Sequence, residues 1–371
     1  MKNNSVKILA YYLPQFHEIK ENDDFWGKGY TEWVNVKKSK PVYWGHYQPR
    51  VPLNSDYYDL RDGKKIVEHG IMAQEYGIYG FCFYHYWFGE RRQILQKPLE
   101  AIIEDLEFSI PFCFCWANET WTRTWNGGLG EKEVLMDQVY SDEEDWIAHI
   151  NYLMPFFKNE MYIKNHNKPM FLIFDPHNIP YIIKDKMFGM WDEILKKNGF
   201  NGIDLVNVDV GFRGDIESKY SEKKVDFEPT KTRRESILEN SLYSDVRKYL
   251  MKYEDNKIVN KFLHQKISYA DTCNRIIGKK HNYGYYRSLF VGYDDTPRRG
   301  VRSTIYYGST PEQYKRYLKK TIELSFKEGN EYLFLFAWNE WGEGGYLEPD
   351  EKYGFRYLES TKFALEDACC D

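Results

Sequence analysis

Short runs of continuously apolar residues recur along the chain, at 6–12 (VKILAYY), 78–84 (IYGFCFY), 110–116 (IPFCFCW), 168–174 (KPMFLIF), 202–208 (GIDLVNV), 288–293 (SLFVGY) and 332–338 (YLFLFAW). They are apolar at odd and even positions alike, so each predicts a strand covered on both faces, as in a parallel sheet. Between them lie segments with helical spacing, among them GKKIVEHGIMAQEYG, LQKPLEAIIEDLE, DEEDWIAHINYLMPFFKN, MWDEILKKNGF and PEQYKRYLKKTIELSFKEG. Strand and helix in alternation mean parallel α/β architecture. A weaker strand at 223–229 (KKVDFEP) brings the number to about eight, which predicts a (β/α)8 TIM barrel in preference to an open doubly wound sheet. No GxGxxG or GxxxxGK[ST] fingerprint supports the open sheet.

Residues 13–62, 117–141 and 211–287 carry little regular period and read as enlarged βα loops, the kind of segment that builds lids and binding walls. With no Pro- or Ser-rich linker and no repeat, the expectation is one catalytic domain over residues 1–371 with these insertions. In a barrel, polar residues just past each strand build the active face. Those positions hold Tyr12, Gln15 and His17; Tyr84, His85 and Trp87; Trp116, Asn118, Glu119 and Trp121; Asp175 and His177; Asn207 and Asp209; Glu228; Asp294 and Asp295; and Trp338, Asn339, Glu340, Trp341 and Glu343. Carboxylates among aromatics suit glycosidic-bond chemistry, which needs a proton donor, a second carboxylate and flat faces for sugar rings. A metal reading would draw on His17, His85 and His177, but HxH and HExxH spacings are absent, and no cofactor is expected.

The segment WNEWGEGGYLEPD concentrates this chemistry. Glu340 and Glu343 are bracketed by Trp338 and Trp341, and Gly342, Gly344 and Gly345 permit a turn that brings both carboxylates to one cavity. Held together, two carboxylates repel and one pKa rises, which suits that group to proton donation. WANETWTRTWNG is too rich in Asn, Thr and Gly for a helical stripe and reads as a sugar-binding wall, with Arg123 facing either Glu119 or an anionic substrate group. In the 25–60 segment Glu32, Trp33 and His46 are within possible reach of the site, although most of that stretch reads as packing.

Composition agrees with a glycan reading. The chain holds 32 Tyr, 23 Phe and 11 Trp, yet its mean hydropathy of −0.68 is that of a well-solvated surface, so the aromatics are no membrane signal. A net charge of −5 gives no basic stripe for nucleic acid. The first residues lack the apolar core of a secretory signal and no stretch is long enough to span a bilayer, which predicts a cytoplasmic protein without a membrane span. The cysteines lie in apolar runs and read as buried small hydrophobes, not a disulfide framework.

Five segments in order, AYYLPQFH, FWGKGYTEW, GFCFYHYWF, FCFCWANETWTRTW and FAWNEWGEGGYLEPD, resemble the WbsX-like family, which is related to glycoside hydrolase family 99, the endo-α-mannosidases. The resemblance implies a barrel acting on an oligosaccharide or polysaccharide in the setting of O-antigen, capsule or lipopolysaccharide biosynthesis. It also implies roles. Glu340 would help a substrate 2-hydroxyl attack the anomeric carbon and Glu343 would act as acid and then base, giving retention without a covalent glycosyl-enzyme. The E-W-x-E core is filled by Glu340, Trp341, Gly342 and Glu343, with Gly342 where family 99 has His. Members have also been labelled glycosyltransferases, and a non-catalytic glycan-binding barrel is the third reading.

Overall fold

A computed structural model describes residues 6–104, 107–122, 133–211, 218–220, 222–239, 249 and 263–369. The apolar runs form strands β1 (Lys7–Tyr12), β2 (Gly80–His85), β3 (Phe112–Trp116), β4 (Lys168–Ile173), β5 (Asp204–Asp209), β6 (Lys223–Asp226), β7 (Tyr285–Tyr286), β8 (Ser288–Phe290) and β9 (Tyr332–Phe336). All are parallel, in the order β7-β6-β5-β4-β3-β2-β1-β9-β8, with helices between them. The expected TIM-barrel architecture is therefore what forms, including the weaker strand at β6.

The ends of the sheet meet because β7 and β8 are one extended path interrupted at Arg287. Tyr285 and Tyr286 pair with β6, and Ser288 to Phe290 pair with β9, so the chain changes partner in a single residue and nearly closes the barrel. Arg287 is 1% exposed. It donates through Nε and Nη2 to Glu328 (2.8 and 2.6 Å) and through Nη1 to the carbonyl of Ile276 (3.2 Å). A buried guanidinium stands only when its donors are matched in this way.

The helices follow from local chemistry. Asp142 and Thr310 cap Glu143–Lys158 and Pro311–Lys327 by accepting from the backbone amides of Asp145 and Gln313, and Pro311 opens its helix where no amide donor is needed. Tyr314, Leu318, Thr321, Ile322 and Ser325 recur at helical spacing and are buried against the barrel. Inside the barrel the ring of Tyr11 packs against Tyr84 (5.7 Å between centroids), Phe227 (5.4 Å) and Phe334 (5.7 Å). Cys82, Cys113, Cys115 and Cys273 are free and buried, as small hydrophobes are. Among the described residues no helix is long and apolar enough to cross a membrane.

Candidate active site

At the C-terminal ends of the strands a cavity of about 330 Å³ opens, lined by residues that follow almost every one of them. Leu13 and Gln15 follow β1, Tyr84 and Tyr86 stand at the end of β2, and Glu119 and Trp121 follow β3. Asp175, Val210, Phe227 and Tyr293 come from the next strand ends, while Glu340 and Glu343 follow β9. The early insertion adds Trp26, Tyr30 and Glu32. This is the geometry of a barrel active face, with flat rings standing beside carboxylates.

Arg298 organises the acids. Its Nη2 donates to Glu340 Oε1 and its Nη1 to Glu343 Oε1, each at 2.6 Å, while Glu32 Oε2 stands 3.3 Å from Nη2. Burial pushes the Glu340 carboxyl up to about 8, the charges of Glu343 and Glu32 add to this, and Arg298 opposes it. Glu343 is more open, with 23% of its side chain exposed against 5% for Glu340. The raised carboxyl is thus Glu340, the residue to which the resemblance gives the base role, so its ionised form depends on the opposing charge of Arg298, while the more open Glu343 stands within reach of the cavity.

The turn between them has no room for a side chain. A Cβ on Gly342 would lie 2.6 Å from Glu32 Oε2 and 2.8 Å from Arg298 Nε. Glycine at this position is thus what lets the Glu32–Arg298 pair approach the turn. Two further acids hold the turn from behind. Asp294 accepts from His46 Nε2 and Gln48 Nε2, both at 2.8 Å, and its backbone amide donates to the carbonyl of Glu343 at 2.6 Å. Against its burial, the His46 hydrogen bond and the Arg50 charge hold the Asp294 carboxyl down to about 2. Glu348 accepts from Trp338 Nε1 (3.1 Å), Tyr58 Oη (3.0 Å) and Trp341 Nε1, and its Oε1 is 3.1 Å from His69 Nε2. Burial pushes Glu348 up to about 8 as well, and it keeps His69 uncharged.

Of the residues expected at the site, Gln15, Tyr84, Glu119, Trp121, Glu340 and Glu343 line this cavity. Several other expected site residues do not, and for Tyr12, His85, Trp87 and Trp116 strand parity is the reason. Successive strand residues point to opposite faces, so half of those at a strand end enter the helix layer. Tyr12 is fully buried with its hydroxyl 2.9 Å from His69 Nδ1, and His85 Nε2 meets His149 Nε2 at 2.8 Å on the helix Glu143–Lys158. Trp116 packs on His149 and Trp191, Trp87 stacks on His149 at 4.6 Å, and Trp338 packs on His69 and Phe81. Trp341 stacks on Tyr346 at 3.7 Å beneath the turn.

Asn118 and Asn339 are buried loop clamps. Asn118 Oδ1 accepts from the Asp175 amide at 2.7 Å, and Asn339 both accepts from the Leu13 amide (2.7 Å) and donates to its carbonyl (3.0 Å). The Asp294–Asp295 pair is likewise spent on holding loops, since Asp295 accepts from the Thr304 amide at 2.6 Å. Arg123, one of the candidate wall residues, lies outside the described residues. Among those described, no group of three His, Cys, Asp or Glu side chains is placed to hold a metal ion. The residues that the sequence did not single out are Arg298, Tyr86, Trp26, Tyr30 and the arginines of the helix Thr230–Glu239.

The family described as glycosyltransferase WbsX matches residues 8–361. This chain belongs to that family. Two curated relatives, both uncharacterized proteins WxcX from strains of Xanthomonas campestris pv. campestris, are 33% and 32% identical to it over 373 residues. Each alignment covers 97% of this chain, which spans about half (50%) the length of either relative. Among solved structures, the GH99 endo-alpha-mannosidase of Bacteroides thetaiotaomicron in complex with BIS-TRIS-propane is 14% identical with a TM-score of 0.56, over 98% of this chain and 97% of that one. A glycoside hydrolase-like protein is 11% identical with a TM-score of 0.59, covering 98% and 95%. At such identities the likeness is one of fold.

Proposed function

We propose that this WbsX-family chain cleaves or transfers a glycosidic bond in a bacterial surface polysaccharide, with Glu340 and Glu343 as the reacting carboxyls. The observation that carries this reading is the pair itself, joined by one guanidinium at the floor of an aromatic-lined cavity. Glu340 takes the proton of a 2-hydroxyl as that oxygen attacks the anomeric carbon, and Glu343 protonates the departing glycosidic oxygen. Glu343 then takes a proton from the water or sugar hydroxyl that attacks the anomeric carbon, the C1–O2 bond of the anhydro ring breaks and Glu340 returns its proton to O2, so configuration is retained and both carboxyls regain their starting states. Arg298 favours the ionised Glu340 that the first step needs, while Trp121, Tyr84 and Tyr86 offer faces for sugar rings. Gln15 and Glu119 supply hydrogen bonds to hydroxyls.

Cleavage is preferred to transfer from a sugar nucleotide because two carboxyls suffice for it. The test is product analysis with manno-oligosaccharides and with surface polysaccharide, in the presence and absence of sugar nucleotides, for the wild type and the Glu340→Gln and Glu343→Gln variants. Nucleotide-independent cleavage, lost in both variants, is the expected result. Extension that requires a nucleotide, with no cleavage, would overturn the hydrolase reading in favour of the transferase.

A further inference from the structure

Among the described arginines of the cavity, two are held in ion pairs. Arg298 is engaged by Glu32, Glu340 and Glu343, and Arg299 by Asp295 at 3.2 Å. Arg233 differs. It stands in the first turn of the helix Thr230–Glu239, directly after β6, and lines the cavity beside Arg234, whose Nη1 donates to the carbonyl of Val210. Its Nη1 makes one hydrogen bond, to Thr304 Oγ1 at 3.3 Å, and its guanidinium carbon is 5.8 Å from the centre of the Tyr293 ring. Among the described residues it forms no ion pair, and its Nε–Nη2 edge meets no acceptor. That edge is the two-donor fork that grips a carboxylate with parallel hydrogen bonds.

A neutral glycan filling the cavity would strip water from this fork and offer it no charged acceptor, leaving the cation with the charges of Asp295 and Glu343, neither of which pairs with it. A sugar bearing a carboxylate would supply both the charge and the acceptors. We infer that Arg233 marks an acidic-sugar subsite, and that the substrate is a uronic-acid-containing glycan whose carboxylate docks on its Nε–Nη2 edge. This deepens the glycosidic reading and rests on it for the identity of the ligand as a glycan.

Binding separates the two ideas, because it needs no turnover. In a Glu343→Gln background, calorimetry would compare tetramannuronate and tetragalacturonate with their carboxyl-reduced counterparts of the same linkage. At least one acid form should bind about tenfold or more tightly than its neutral form, the scale of a charged hydrogen-bonded contact. Adding Arg233→Gln should erase that preference, and Arg233→Lys should keep part of it, with melting curves confirming that both variants fold. Equal or tighter binding of the neutral forms, no binding by any member of the panel, or a preference that survives Arg233→Gln would overturn the subsite. A preference that disappears in Arg233→Gln while the wild type cleaves nothing would leave the subsite standing and sink the catalytic reading instead.

Discussion

At the scale of single residues, Arg298 decides how the two candidate catalytic carboxyls behave. Replacing Glu343 with Gln keeps the shape and removes the proton, so the rate should fall by about a hundredfold or more, the usual range for general acid catalysis. Retention of most of the activity would mean that another group gives the proton. Glu340 acts in its ionised form, and its carboxyl is pushed up to about 8, so kcat/KM should rise with pH through that value. Arg298→Met removes the charge that opposes the upward push, and the midpoint of the pH–rate profile should move higher still. An unmoved midpoint would show that Arg298 does not set the protonation of Glu340. The glutamates were legible because tryptophans and glycines surround them in eight consecutive residues, Trp338 to Gly345. Arg298 was not, since the acids it joins are 42, 45 and 266 positions away and no local spacing records that meeting.

At the scale of elements, the turn after β9 is held between two acids that never face the cavity. Glu348 gathers the indoles of Trp338 and Trp341, which flank Glu340 on either side, so Glu348→Gln should lower kcat by up to about a hundredfold while leaving KM nearly unchanged. Equal changes in kcat and KM would point to general disorder of the cavity and not to a misplaced Glu340. Gly342→Ala puts a methyl group into the space of the Glu32–Arg298 pair, so activity should drop with little loss of melting temperature. Element identity was readable from the continuous apolar runs, and the one weak run at β6 is short in the structure too. Strand parity was the part that sequence order hides. Without the register of Tyr11 against its neighbours, Tyr12, His85 and Trp116 look as much like cavity residues as Tyr84 does.

At the scale of the whole molecule, burial gives the fold a pH signature. Glu340 and Glu348 sit near 8 against an ordinary 4.5, so the folded state holds protons that the unfolded chain releases. Their contribution to stability is fully present below about 4.5 and is lost as pH rises through about 8. The melting temperature should therefore fall between about pH 4.5 and pH 8, and less steeply in Glu348→Gln; an equal slope in the variant would assign the loss to other groups. Barrel closure has a consequence of another kind. The eight strand-to-strand seams of the nine-strand path are ordinary ladders, but its ends carry no ladder between them and meet where β7 hands over to β8 at Arg287, with Tyr286 packed on Tyr332 and Phe334 of β9. In deuterium uptake, amides along that junction should take up label before those of β2 and β3, as though the cylinder were a split ring that opens at its clasp.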